Sequence, residues 1–159
     1  MAPRIGPYRS DDGREVYTIF EPTSNPRYWI RSQDWRRRGN IDRFVVKLVY
    51  IEGLSREEIH RQPAITVQPF AIDVAISDHG EHDVTDPGDS KGLHVDIKCQ
   101  NHGQRRGTVS IGKRSYRDVS RAFTDAEKYL IDYRDEIAAV WRGKRDPRTL
   151  PDSTVISLG

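Results

Sequence analysis

Alternating apolar and polar positions predict four strands in this chain. REVYTIF (Arg14–Phe20) alternates, and RFVVKLVYI (Arg43–Ile51) does so more clearly. Further on, LHVDIKC (Leu93–Cys99) and GTVSIG (Gly107–Gly112) follow the same period. Because side chains alternate across a strand, each of these segments is expected to have one buried face.

The segment AITVQPFAIDVAIS (Ala64–Ser77) is also rich in residues that favour strands. Pro69 interrupts it, and because proline has no N–H to donate to a ladder, we expect a bulge or an edge position there. Beyond the proline, Ile72, Val74 and Ile76 are predicted to share one face.

Helical signals follow a different period. In SQDWRRRG, Ser32 as N-cap and Gly39 after the last turn predict a short helix. Near the C-terminus, Thr124 and Glu127 form a capping-box pattern, and Gly143 suits the position just past a helix end. The apolar stripe of this second helix consists of Ala126, Leu130, Tyr133, Ile137 and Trp141.

These elements predict an α+β fold: four to six mostly antiparallel strands with a long C-terminal helix packed on one face. At 159 residues the chain suits a single domain, which we assign to residues 1–146. Residues 147–159 are predicted to form a C-terminal tail.

Composition favours a cytoplasmic protein. Of the residues, 35% are hydrophobic and 31% are charged, and the single cysteine, Cys99, excludes an intramolecular disulfide. No apolar run reaches the ~18 residues that a membrane span needs. The opening residues MAPRIGPYRSDDG do not resemble a secretory signal. We therefore expect no membrane association.

The net charge is only +2, but the charges are segregated. Between Phe70 and Ile97 there are seven acidic residues and one basic residue, whereas between Gln104 and Arg121 there are six basic residues and one acidic residue. Such asymmetry can steer a charged partner, or the two stretches can neutralise each other on the folded surface.

One candidate site combines histidine with aspartate. His79, His82 and Asp83 lie in a predicted loop, and His94 and Asp96 share a face of the next strand. Imidazole beside carboxylate suits acid–base catalysis, so these five are the candidate catalytic residues. No cofactor is expected, but a divalent metal would use His79, His82, His94 and Asp96. The alternative is a hydrated turn rich in Asp, Gly and Pro.

Two basic groups are candidates for binding nucleic acid or a protein partner. They comprise Arg36, Arg37 and Arg38 beside Trp35, and Arg105, Arg106, Lys113 and Arg114. Arginine pairs with phosphate and bases stack on aromatic rings, which suits RNA. The alternatives are a helix with solvated arginines and a strand edge that charge keeps soluble.

Four segments together resemble an uncharacterised family of small prokaryotic α+β domains: DWRRRG, FVVKLVY, SDHGEHDV and AFTDAEKYLIDYRDEI. The resemblance spans Asp34 to Trp141, and more distantly it extends to toxin-like components of toxin–antitoxin modules. It implies no established reaction and directs attention to His79, His82 and Asp83. Members of that family carry an arginine–tyrosine pair before the loop, where this chain has DVAIS.

Two functional hypotheses follow. In the first, the protein is a binding module whose acidic and basic surfaces engage a protein partner, such as an antitoxin or a second copy of itself. In the second, it is a toxin-like effector that acts on RNA through a His/Asp acid–base site. Convergence of the histidines in one cleft would favour the second hypothesis, whereas their separation would favour the first.

Overall fold

The computed structural model describes residues 4–61, 67–79, 92–100, 105–112 and 116–158, with only the backbone for residues 4–7 and 68. Its main feature is an eight-stranded antiparallel sheet whose strands lie side by side in chain order. The strands are β1 (Arg4–Arg9), β2 (Glu15–Pro22), β3 (Tyr28–Arg37), β4 (Asn40–Ile51), β5 (Ala71–His79), β6 (His94–Lys98), β7 (Arg105–Ser110) and β8 (Thr154–Leu158). The α-helices with both ends in the described residues are α1 (Arg56–Arg61), α2 (Val119–Asp132) and α3 (Arg134–Trp141), and Gln68–Phe70 forms a 3₁₀ helix.

The predicted fold class is therefore wrong. The sheet has eight strands rather than four to six, and two shorter helices stand in place of one long C-terminal helix. The helical segment is interrupted at Tyr133, whose φ of −114° and ψ of 23° lie outside helical geometry. It also starts earlier than the capping-box pattern indicates, because the Asp118 side chain accepts a hydrogen bond from the Ser120 amide and caps α2.

Strands β1, β3 and β8 were not predicted from the sequence pattern. The expected helix after Ser32 is instead the second half of β3, which pairs with β2 and β4 along its length. Within the predicted tail from residue 147, a short 3₁₀ helix (Pro147–Thr149) precedes β8, and β8 pairs with β7. The strands predicted over β2, β4, β6 and β7 are confirmed.

Helices α2 and α3 cover one face of the sheet, which we call the helix face. Phe44 stacks on Phe123 of α2 with ring centroids 5.4 Å apart, and Tyr50 contacts Trp141 of α3 at 5.6 Å. Leu130 of α2 is also fully buried in this core. Burial of these large apolar side chains supplies most of the driving force for folding.

The opposite face, which we call the charged face, has a smaller apolar cluster at one end. Phe20, Trp29 and Val49 are completely buried there beneath Ile59 of α1. Beyond this cluster the charged face carries half-buried polar and charged side chains. A sheet that buries apolar residues on both faces lacks the simple apolar-in, polar-out pattern, which explains why β3 resembled a helix.

Candidate functional site

Strand registers place a row of side chains across the middle of the charged face. Arg31 on β3 is directly opposite Lys47 on β4, and Lys47 is opposite Ile76 on β5. Ile76 is in turn opposite Asp96 on β6, which faces Thr108 on β7. Directly opposite residues in antiparallel strands have Cβ atoms about 5 Å apart. The row therefore has two cations at its β3–β4 end and a carboxylate beside a hydroxyl at its β6–β7 end.

Asp96 is held as a carboxylate at the β6–β7 end of this row. The Thr108 hydroxyl donates to its Oδ1 at 2.5 Å, and Nη1 of Arg105 donates to the same atom at 3.1 Å. Burial by itself would raise the pKa of Asp96, but these two hydrogen bonds, together with nearby His94, outweigh it and lower the pKa. Asp96 is thus an anchored anion.

His94 lies two residues before Asp96 and is 2% exposed. Its Nδ1 is 2.9 Å from the Gly92 carbonyl oxygen. Because a carbonyl oxygen can only accept, Nδ1 donates in this contact, and a neutral ring would then carry its lone pair on Nε2. This tautomer is the one a general base would need at Nε2.

The predicted histidine cluster does not assemble from the residues that the structure describes. His79 is opposite Phe44, with ring centroids 6.1 Å apart, and therefore lies on the helix face. His94 lies on the charged face, so the sheet separates the two rings. The other two members, His82 and Asp83, lie outside the described residues. Across the described ranges, no three His, Cys, Asp or Glu side chains are grouped closely enough to hold a metal ion.

The first basic group lies at the β3–β4 turn and is largely paired. Nε of Arg36 is 2.7 Å from Oδ1 of Asp34, and Nε of Arg37 is 3.6 Å from Oδ2 of Asp42. Arg38 has a φ of 54° in the turn itself. These arginines stabilise a hairpin end and do not form the helix expected from the sequence.

Of the second basic group, Arg105 lies at the end of the strands opposite the β3–β4 turn. Arg105 is opposite Lys98 where β7 begins, and it pairs with Asp96. Lys113 and Arg114 lie outside the described residues. Since the β3–β4 turn and the start of β7 are at opposite ends of the strands, Arg105 does not join Arg36, Arg37 and Arg38 in one continuous surface.

Arg106 belongs instead to an open pocket beside the last strand. The pocket is lined by Arg106, Gly143, Lys144, Arg145, Asp146, Pro147 and Leu158. Its carboxylate, Asp146, is bound by Arg148 at 2.6 Å. We call β8 together with Arg106, Lys144 and Arg145 the basic edge.

Sequence patterns missed two residues of the charged face. Arg31 belongs to the segment Arg27–Arg38, whose arginines and aromatic residues suggested nucleic-acid binding, but it was not singled out because a helix was expected to follow it. Lys47 was overlooked because a single lysine on the polar side of a strand is ordinary. The alternation over β4 does place Lys47 on the face away from the apolar residues, so its position could have been predicted. Its partner could be identified only from the β3–β4 register.

Comparisons with known proteins find no counterpart. No family model matches the chain, and neither a characterised protein nor a solved structure matches it. None of the helices in the described ranges is long and apolar enough to cross a membrane.

Proposed function

We propose that this protein is a binding module that takes an extended, acidic segment of a protein partner along β8, and that it acts in the cytoplasm. The observation that carries the proposal is the exposed apolar edge: Leu158 is 53% exposed and Ile156 is 37% exposed. An extended peptide can add to such an edge through main-chain hydrogen bonds, while its side chains occupy neighbouring pockets.

The two edges of the sheet are not equivalent. Strand β1 contains Pro7 and has an irregular register between Ile5 and Tyr8, and both features hinder the addition of another strand. Strand β8 reads TVISL, with no charge and no proline. It is short and has its own register shift. Those features limit the partner to a short segment.

Charge complementarity selects an acidic partner. The pocket at the Leu158 end contains three cations, Arg106, Lys144 and Arg145, and its one carboxylate is engaged by Arg148. An acidic side chain on the added strand would meet this surplus of positive charge. Electrostatic complementarity of this kind raises association rates and excludes partners of the wrong sign.

The test uses two ten-residue extended peptides. In the first, Val and Thr alternate with Glu, and in the second they alternate with Lys. We expect the Glu peptide to bind, to slow hydrogen exchange of the β8 amides and to lose affinity as salt increases. Lys144→Glu/Arg145→Glu should reduce its affinity about tenfold or more. Leu158→Lys should also weaken binding, because it places a charge on the edge.

Arg61→Glu is the matched control, because Arg61 is exposed at the end of α1 and far in sequence from the basic edge. Equal binding of both peptides would contradict the proposal, as would protection outside β8. Self-association through β8, detected by sedimentation and lost in Leu158→Lys, would replace the partner with a second copy of the chain.

An RNA-cleaving role is the second candidate, and the orientation of His94 favours it. The Nδ1 contact to Gly92 orients the ring, and Asp96 and Arg105 lie on the same face. The test is cleavage of a structured RNA by wild type and by His94→Gln, with His60→Gln as a control on α1. Cleavage that persists in His94→Gln would exclude this role for His94.

A further inference from the structure

Arg31 and Lys47 form a pair of like charges in the middle of the charged face. They are directly opposite in the β3–β4 register, and both side chains are only partly exposed. Like charges placed directly opposite each other on a sheet are destabilising. A third charge of opposite sign would remove this cost.

The guanidinium of Arg31 has few acceptors among the described residues. Its Nη2 donates to Oε1 of Gln33 at 3.3 Å, and its Nε is buried without an acceptor. Burial lowers the pKa of Arg31, and the nearby charge of Asp73 opposes that effect only in part. Because arginine stays protonated in proteins, Arg31 remains a cation at neutral pH, and its charge is incompletely compensated.

The carboxylate of Asp73 partly balances the charges of this pair, but it is already engaged in an ion pair with Lys47. Nζ of Lys47 is 3.0 Å from its Oδ2, and Lys47 is 23% exposed. On the same face, Arg43 lies over the ring of Trp35, 4.3 Å from its centroid, and adds another positive charge. Strands β3 and β4 thus contribute three cations to this part of the charged face, and the adjacent strand β5 contributes two carboxylates, Asp73 and Asp78, the second of which is opposite Val45.

We propose that Arg31 and Lys47 bind the oxyanion group, carboxylate or phosphate, of a small molecule on the charged face. The guanidinium fork can donate two parallel hydrogen bonds to such a group, and the ammonium supplies a third. Partial burial strengthens these contacts relative to those of an exposed cation. Because the two side chains are recessed in the sheet, the site suits a small anion better than a nucleic-acid backbone. This site does not depend on the basic edge.

The first experiment follows the Arg31 Nε–H signal in ¹H–¹⁵N spectra during titration with inorganic phosphate or succinate, at constant ionic strength set with chloride. We expect a saturable shift at Arg31 and at the amide of Lys47. A response to phosphate alone or to succinate alone assigns the source of the oxyanion. A response to both supports a general oxyanion site.

Lys47→Gln should weaken the response about tenfold, which corresponds to the loss of one charge-assisted contact. Arg31→Lys keeps the charge but removes the fork, so it should also weaken binding while the fold is retained. Arg61→Gln is the control, because Arg61 is exposed at the end of α1 and its loss breaks no ion pair to a buried carboxylate among the described residues.

Three results would overturn the inference. One is a shift that chloride alone reproduces, and another is an unchanged affinity in Lys47→Gln with the melting temperature preserved. The third is a response to an RNA oligonucleotide without a response to phosphate or succinate, which would assign the face to a nucleic acid instead.

Discussion

The Ser32 hydroxyl donates a hydrogen bond to Oε2 of Glu127 at 2.7 Å, joining the middle of β3 to α2 across 95 positions of the chain. Ser32 is 3% exposed, so this polar contact lies within the apolar layer between sheet and helix. It fixes where α2 sits on the sheet, because a buried acceptor without its donor costs about 1–3 kcal/mol.

We predict that Glu127→Gln makes stability less dependent on pH. Burial raises the pKa of Glu127, and the hydrogen bond from Ser32 offsets this only in part. A raised carboxyl pKa means that the folded state binds the proton more tightly, so the ionised group destabilises the fold as pH rises past its usual range. The free energy of unfolding of the variant should match that of wild type at low pH and exceed it at pH 8.

Urea denaturation from pH 4 to 8 measures this difference. Glu52→Gln, at an exposed position, should show no such trend. A constant difference across the range would mean that Glu127 has the same pKa in the folded and unfolded chain. Ser32→Ala should be destabilised at all pH values, because it leaves the Glu127 carboxyl without its donor.

The roles of these two residues show where sequence patterns lose information. Ser32 was predicted to cap a helix, and Glu127 was predicted to complete a capping box with Thr124. In the structure Thr124 lies inside α2, its hydroxyl donates to the Ser120 carbonyl, and Ser32 and Glu127 bond to each other. Local patterns identified Ser32 and Glu127 as polar side chains that need hydrogen-bond partners, but they could not show that the two residues, 95 positions apart, are each other's partner.

A second prediction concerns the anchored carboxylate on the charged face. Asp96→Asn should lower the free energy of unfolding by about 1–2 kcal/mol at pH 7, since it weakens the charge-assisted hydrogen bond from Arg105 and changes the one from Thr108. Net lowering of the Asp96 pKa means that its stabilisation is present above the usual aspartate range. This stabilisation is lost as pH falls through the folded-state pKa. The difference in free energy of unfolding between Asp96→Asn and wild type should therefore shrink in acid.

Chemical denaturation at pH 7 and pH 3 tests this sign. Asp135→Asn is the control, because that carboxylate is 62% exposed and 3.8 Å from its nearest cation. A gap that widens in acid would show that Asp96 is destabilising when ionised, contrary to the geometry.

The other limit on prediction from sequence concerned which side chains of a strand lie on which face of the sheet. The faces of β4 and β6 were predicted correctly, because their alternation is unbroken. The β4–β5 pairing, however, is irregular at one point. Leu48 is opposite Ala75 and Val49 is opposite Asp73, so Val74 has no residue directly opposite it. Val74 and Ala75 are both buried in the core of the helix face. After this irregularity the side chains of β5 alternate in the opposite sense, so Ile76 lies on the charged face. The predicted common face of Ile72, Val74 and Ile76 is therefore wrong, and His79 is turned toward the helices.

A third prediction tests how β8 is attached. A Cβ added at Gly107 would lie 3.0 Å from the Ser157 carbonyl oxygen and 3.4 Å from Cγ of Pro147. Gly107→Ala should therefore push β8 away, cost about 1–3 kcal/mol and speed amide exchange in β8. Ser110→Ala, on the same strand, should leave that exchange unchanged. Normal protection of β8 in Gly107→Ala would show that the strand adapts without detaching.

The last prediction separates a binding role of Arg31 from a structural one. Arg31→Met removes a partly buried cation that faces Lys47 and keeps an unbranched apolar stem, so we expect a stability gain of about 0.5–1 kcal/mol in chloride buffer. Arg36→Met should do the opposite, because it leaves the buried Asp34 carboxylate unpaired. Adding phosphate or succinate should raise the melting temperature of wild type and not that of Arg31→Met, since a ligand stabilises only the state that binds it. Destabilisation of Arg31→Met in chloride would show instead that Arg31 supports the fold.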